Sequence, residues 1–317
     1  MNITLRQMQM FVALADTGSV SLAARACHVS QPTASMQLRE MTQAVGLPLH
    51  EVIGRRIRLT DAGRQLADTA RGMLDQWAGF GQAVDQMKGL TRGRLRLSVV
   101  STAKYFVPRL LGGFCHHYPD IDIALEVLNR DAIVERLRAG LDDLVIMSIP
   151  PADLDLDQQA FLANPLVVIA PLAHPLAARR RIRLAQLGEQ PMILREPGSG
   201  TRMSCDAAFA RQGFDPRVRL TLGSNEAIKQ VVAAGMGIGI VSRHALVPRP
   251  ADEGLAVLPV GGFPIHANWF IVRRRQRRLS PIAQAFEQHL LLQARAIDPG
   301  GSAGNATAAS APGSATG

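Results

Sequence analysis

At 317 residues, with 47% hydrophobic and 19% charged side chains, the chain is long enough for two or three cores, since domains run about 100–200 residues. That length and composition exclude a single small module and a chain that is fibrous or disordered throughout. The formal charge of +9 favours a polyanionic partner without defining one. Cys27, Cys115 and Cys205 are odd in number, far apart and without a C-x-x-C pair, which argues against a disulfide framework or a zinc site and fits a reducing cytoplasm. The start, MNITLRQMQMF, has no basic head before a long apolar run, and no apolar stretch reaches the ~20 residues of a membrane helix. A cytoplasmic protein without membrane association is expected.

Residues 1–60 read as short helices between tight turns. Leu5, Met8, Phe11, Val12 and Leu14 share one helical face, with Thr4 as N-cap and Gly18 past the end. A second helix begins near Ser19 or Ser21 and carries Leu22, Ala23, Ala24 and Ala26, whose small side chains admit a close neighbour. Ser30 can cap a third, because its hydroxyl accepts from an otherwise orphan amide. Pro32 falls in the first turn, where a missing N–H costs little. This helix runs to about Val45 and ends at Gly46 and Pro48. Val52 to Thr60 then alternates apolar and basic residues as a small hairpin or wing does, with Arg55, Arg56 and Arg58 projecting together.

From Asp61 to about Lys88 there is no proline, and Leu66, Ala70, Met73, Trp77, Phe80, Val84 and Met87 recur at alternating spacings of four and three, an a/d seam. At about 1.5 Å per residue the helix is a rod of roughly 40 Å, too long and one-sided for its own head domain to bury. It reads as a dimerising linker, with packing on a neighbouring lobe as the alternative. Beyond Thr91, strand-like runs (Leu95 to Val100, Ile123 to Leu128, Leu144 to Ile149, Leu166 to Ala170, Met192 to Arg195, Ile238 to Val241, Phe270 to Val272) alternate with helical ones. That pattern predicts an α/β fold with largely parallel sheets. The arginine runs at 179–183 and 273–278 read as solvated loop charge. The Gly/Ala/Ser/Pro-rich tail, 298–317, reads as disordered.

Two short helices joined by a tight turn, the second opening Ser30-Gln31-Pro32-Thr33-Ala34-Ser35, form a helix-turn-helix arrangement, in which the second helix presents its first residues to the major groove. Gln31 and Gln37 can read adenine edges, Ser30, Thr33 and Ser35 can bond phosphates or bases, and Arg39, one turn beyond Ser35, can reach the backbone. A helix hairpin that is merely core is the alternative; the basic wing downstream favours DNA.

In the second half, converging helix N-termini would stabilise an anion through free N–H groups and positive dipole ends. Three starts follow strands: Ser101-Thr102, Pro197 to Arg202, and Gly223 to Glu226. Each alone could be an ordinary cap; their repetition at strand ends, where α/β sheets place ligands, favours a cleft. Arg130 and Arg202 could supply charge-assisted partners. The effector-binding candidates are therefore Ser101, Thr102, Asn129, Arg130, Ser199, Gly200, Thr201, Arg202, Asn225 and Glu226.

Enzyme motifs fail on inspection. Gly235-Met236-Gly237-Ile238-Gly239 follows a helix and leads into a strand, the reverse of a dinucleotide fingerprint. Pro197-Gly198-Ser199-Gly200-Thr201 lacks a phosphate-loop lysine and nucleophile-elbow spacing. His116-His117 has no further ligand at metal spacing, and Cys205 has no second cysteine to resolve it. No catalytic residue, metal site or cofactor is expected. A cytoplasmic solute-binding module remains the alternative from another class.

The runs T-L-R-Q-M-Q-M-F from Thr4, S-L-A-A-R-A-C-H-V-S-Q-P-T-A-S from Ser21 and G-R-R-I-R-L-T-D-A-G from Gly54 resemble the LysR-type transcriptional regulators. The resemblance implies a winged helix-turn-helix at 1–60, a linker and dimerisation helix at 61–90, and a two-lobed, periplasmic-binding-protein-like α/β effector domain at 91–297. The chain would cross between lobes near Asn164-Pro165-Leu166 and His266-Ala267-Asn268, giving lobe I as 91–164 with 268–297 and lobe II as 165–267. It also implies double-stranded operator DNA and RNA polymerase as partners, and a homodimer or tetramer. Two positions depart from the family: Met36 replaces a common arginine of the recognition helix, and Leu49-His50-Glu51-Val52 puts a polar ring where an apolar one normally packs. S-T-A-K-Y-F-V-P-R-L-L from Ser101, R-E-P-G-S-G-T-R from Arg195 and L-G-S-N-E-A-I-K-Q from Leu222 resemble the branch that controls Calvin-cycle carbon-fixation operons. That implies an activator whose co-inducer is a small anion: a phosphorylated sugar, an organic acid or a reduced nicotinamide nucleotide.

Overall fold

The computed structural model describes residues 2–53, 56–87 and 93–297; Arg55 and the tail, 298–317, lie outside them. Helix α1 (Leu5–Thr17) starts at a capping box, in which Thr4 Oγ1 accepts from the Gln7 amide while Gln7 accepts from the Thr4 amide. It stops at Gly18, whose left-handed φ of 62° suits glycine. Helices α2 (Val20–Ala26) and α3 (Gln31–Val45) follow, the latter capped by Ser30 and ended by left-handed Gly46. Phe11, Leu14, Ala24, Leu38 and Met41 close one small core between the three. Strands β1 (His50–Ile53) and β2 (Arg56–Leu59) pair antiparallel, and the Ile57 amide donates to Gly18 O at 3.2 Å, fixing the wing to the end of α1.

Helix α4 (Asp61–Met87) leaves this head at a close approach, for a methyl group on Gly63 would run into Leu49 O. Ala67 and Ala70 are buried where α4 packs on α1, while Met73, Trp77 and Phe80 further along the seam are exposed. The seam is thus half used by its own chain.

The rest of the chain forms, in order, β3 (Gly93–Val100), α5 (Val107–His117), β4 (Ile121–Leu128), α6 (Arg130–Ala139), β5 (Leu144–Met147), β6 (Leu156–Pro171), β7 (Met192–Arg195), α7 (Gly200–Gln212), β8 (Val218–Leu222), α8 (Asn225–Ala233), β9 (Ile238–Ser242), β10 (Leu255–Leu258), β11 (Ile265–Arg274) and α9 (Pro281–Ile297). Among the described residues one sheet has the order β4-β3-β5-β11-β6-β9-β7-β8, with β10 also on β6. Its two wings, β4-β3-β5 and β9-β7-β8, are parallel, but β6 and β11 run antiparallel to every neighbour. The sheet is therefore mixed, not largely parallel. A chain that leaves one lobe and returns beside its own outgoing segment must place the two crossing strands in opposite directions. β6 and β11 are that pair, matched Asn164↔Ala267 and Pro165↔His266. Separate cores lie to either side, one around Leu97, Phe114, Trp269 and Phe286, the other around Leu166, Met192, Phe209 and Ile240.

Two local expectations also change. Residues Ser101–Tyr105 make a 3-10 turn before α5 instead of opening an α-helix directly after the strand, and β8 and β10 add strands in segments whose apolar alternation is weak. The arginine run at 273–278 is only partly solvated charge: Arg275 and Arg278 are exposed, whereas Arg273 and Arg274 are half-buried and the Arg277 side chain is buried. Arg277 is held in the junction with α4, donating to Asp143 (2.9 Å) and to the carbonyls of Gly140 and Asp142, with Asp75 of α4 at 2.9 Å. Arg96 joins the same two carboxylates, and Arg273, Arg274 and Arg275 pair with Asp157, Asp68 and Asp155. Arg179, Arg180, Arg181 and Arg183 are exposed.

Candidate functional site

Helix α3 offers its first two turns to solvent on the side away from Ala34, Leu38 and Met41. Gln31 and Pro32 are exposed, and Gln31 Oε1 accepts from Ser21 Oγ at 3.0 Å, a link from α2 that orients the side chain. Ser30 and Thr33 hydroxyls lie 2.7 Å apart, and Ser30 Oγ also accepts the Thr33 amide, so both are engaged in the cap. Ser35 is half-buried; Met36 and Arg39 are exposed, and Arg39 Nε donates back to Ser35 O. Gln37 is half-buried with Oε1 shielded and unpartnered among the described residues, which turns its acceptor away from a groove. Arg56 is placed by its backbone in β2, and Arg58 is exposed there. His50 opens β1 with Nδ1 buried and unpartnered among the described residues.

In the second half, strand ends from both sides of the crossing pair converge on one small cavity. Ser101 and Thr102 come from the end of β3, Ser148 and Ile149 from beyond β5, and Ser199, Gly200 and Thr201 from the start of α7. Arg130 also borders it, and among the described residues no carboxylate lines it. Ser199 caps α7 by accepting the Arg202 amide, which leaves the first helical amides, those of Gly200 and Thr201, without intrahelical partners. A positive dipole end therefore faces the cavity. Gly200 sits so near the opposite wall that a methyl group on it would run into Ser148 Oγ. Free space is ≈ 20 Å³, room for about one water.

The central cation here is Arg195, which sequence reasoning treated only as the end of a strand. It is 3% exposed; Nη1 donates to Thr102 Oγ1 (3.2 Å), Nη2 approaches Ser101 Oγ (3.4 Å), and Glu196 accepts from Nε and Nη2 at 2.7 Å each. A charge closing an otherwise apolar strand, Met192-Ile193-Leu194-Arg195, was the available signal, since a buried guanidinium is held only where partners surround it.

Four candidates stand off the cavity. Asn129 is exposed and spends its side chain capping α6 through the Ala132 amide. Arg202 is turned to Asp206 and to Arg195 O. Asn225 is buried behind the wall, where Nδ2 donates to Thr102 Oγ1 at 3.0 Å and positions that hydroxyl. Glu226 accepts from Tyr105 Oη (2.6 Å), Ser224 Oγ and Lys104 (3.0 Å). Partial burial works to raise its carboxyl, but the Tyr105 and Lys104 hydrogen bonds prevail and hold it at about 2. Burial, then the Glu226 hydrogen bond, push the Tyr105 phenol well above its usual range. Elsewhere, burial raises the Cys205 thiol to about 12, which suppresses thiolate chemistry. His116 and His117 are exposed and bonded to carbonyls of their own helix.

A winged helix-turn-helix joined by a long helix to a two-lobed pocket defines a ligand-responsive DNA-binding regulator. Comparison with known proteins gives the family: residues 5–64 match the bacterial regulatory helix-turn-helix protein, lysR family, and residues 88–295 match the LysR substrate binding domain. The chain belongs to the LysR family. It is 43% identical to the HTH-type transcriptional activator CmpR of Synechocystis, over 93% of this chain and 97% of the relative. It is 40% identical to a RuBisCO operon transcriptional regulator of Allochromatium vinosum, again over 93% and 97%. Among solved structures, the Synechocystis CcmR regulatory domain in complex with 2-PG is 47% identical, with a TM-score of 0.62, covering 64% of this chain and 98% of that one. Among the described residues no helix is long and apolar enough to cross a membrane.

Proposed function

We propose that this chain is a cytoplasmic, homo-oligomeric activator of a carbon-fixation operon, binding operator DNA through α3 and the wing and engaging RNA polymerase when a small phosphorylated acid occupies the effector cavity. Residues 1–60 would be the DNA-binding unit, 61–90 the dimerising linker and 91–297 the sensor, divided at the β6/β11 crossing. The observation that carries the reading is the convergence of Arg130 and the buried, Glu196-paired Arg195 with Thr102, Ser199, Thr201 and the start of α7 on one cavity whose described lining residues include no carboxylate. Guanidinium, hydroxyls and helix amides are the donors that a phosphate or carboxylate needs. Similarity to a domain solved with 2-PG supports the ligand class.

The ≈ 20 Å³ of free space is too small for 2-phosphoglycolate as the lobes stand, so the lobes must part to admit it. Binding is then coupled to lobe geometry, and the ligand acts through its differential affinity for the two arrangements. The Asp75 junction, which ties α4 to Arg96 and Arg277, is the physical route to the DNA-binding head. A compact two- or three-carbon phosphorylated acid fits this reading better than a nicotinamide nucleotide, whose bulk would require far wider separation. The test is calorimetry and operator footprinting with 2-phosphoglycolate, phosphorylated sugars and reduced nicotinamide nucleotides. A ligand that binds and changes the footprint supports the reading; unchanged footprints with all three classes refute it.

A further inference from the structure

Trp269 is 1% exposed and lines the same cavity. Its Nε1, which can only donate, is buried with no hydrogen-bond partner among the described residues. Buried donors in folded proteins are nearly always paired, because an unpaired one forfeits the bond it makes to water in the unfolded chain. The ring is not free to turn in search of a partner. It packs against Phe106 at 5.2 Å and His244 at 6.4 Å between centroids, and His244 is itself tied to Ala163 O of β6 at 2.8 Å. The β6/β11 register shifts between Trp269 and Phe270, so the residue sits at an irregularity of the crossing strand.

An immobilised ring that lines the cavity and carries an unpaired donor is preorganised for an acceptor that arrives with the ligand. We propose that the indole N–H of Trp269 hydrogen-bonds an oxygen of the bound effector and makes the site selective for ligands that present an acceptor oxygen at that point, such as a carboxylate or phosphate. Arg130 and Arg195 supply the charge; Trp269 supplies direction, and it places a ligand contact on β11, one of the two strands joining the lobes. This assignment rests on the cavity being the effector site, as proposed above.

The chain has two tryptophans, so Trp77→Phe in the full-length protein leaves Trp269 as the sole indole. With 15N-labelled tryptophan, titration of that variant with 2-phosphoglycolate should shift the single indole N–H resonance downfield and slow its exchange with water. Trp269→Phe, which keeps an aromatic ring and removes the donor, should weaken 2-phosphoglycolate about tenfold or more by calorimetry. Arg195→Gln tests the cavity itself. Binding lost in Arg195→Gln, with the indole resonance unmoved at saturation in Trp77→Phe, would overturn the role of Trp269 and leave the site standing. Binding unaffected by Arg195→Gln would overturn both. The resonance measurement keeps the test decisive even if Trp269→Phe folds poorly.

Discussion

Charging the exposed end of the α4 seam should separate protomers. Trp77 and Phe80 are each 61% exposed, their rings 5.9 Å apart, and Met73, one turn earlier, is 45% exposed. An aromatic side chain buries roughly 150–250 Å² when fully covered, so each ring leaves roughly 90–150 Å² to a partner, worth about 2–4 kcal/mol at about 25 cal/mol per Å². A twofold pairing of α4 helices counts every side chain twice. Trp77→Glu should then remove about 4–8 kcal/mol from association, raising the dimer dissociation constant by about 10³-fold or more. Met73→Glu combined with it should give monomers at low micromolar concentration in sedimentation velocity, with weakened operator binding because two half-sites are no longer engaged together. A double variant that still sediments as a dimer and footprints like the parent would show that the seam is covered in some other way.

Thr102→Ala and Thr201→Ala should each weaken 2-phosphoglycolate by about tenfold while leaving effector-free operator affinity unchanged, since neither residue is part of the head; equal calorimetric heats in parent and variants would move the site elsewhere. Gln31→Ala or Ser35→Ala should relax base preference, by about 1–3 kcal/mol where a base contact is lost, whereas Arg58→Gln should weaken all sequences and reduce the salt slope by about one; selection from random duplexes separates the two outcomes. Glu226, held at about 2 against an ordinary 4.5, stabilises the fold fully above pH 4.5 and loses that contribution as pH falls toward 2. Thermal unfolding of Glu226→Gln should therefore show a flatter acid limb than the parent, and superimposable limbs would rule out Glu226 as a folded-state anchor.

The helix-turn-helix was legible because each of its boundaries is chemically marked: Thr4 and Ser30 as caps, Gly18 and Gly46 at left-handed ends, Ala23 and Ala24 where helices touch. The cavity was legible in its polar rim, Ser101, Thr102, Ser199 and Thr201, because hydroxyls after strands are local signals. Arg195 and Trp269 were not. Their significance lies in burial and in which partners they meet, and nothing within a few residues of either reveals that Thr102 or Phe106, more than ninety positions away in both cases, will be the neighbour.

The same division runs through the whole chain. Local sequence determined the helices, the wing, the seam on α4 and the alternation that makes an α/β sensor, since capping, glycine conformation and hydrophobic period act over a few residues. Only tertiary structure decided the direction of β6 and β11, the use of Arg277 and Arg96 to hold Asp75, and the presence of Arg195, not Arg202, beside the expected Arg130 at the cavity. Those outcomes depend on which distant groups share a low-dielectric interior, where a charge is held only if its partner is carried there by the fold.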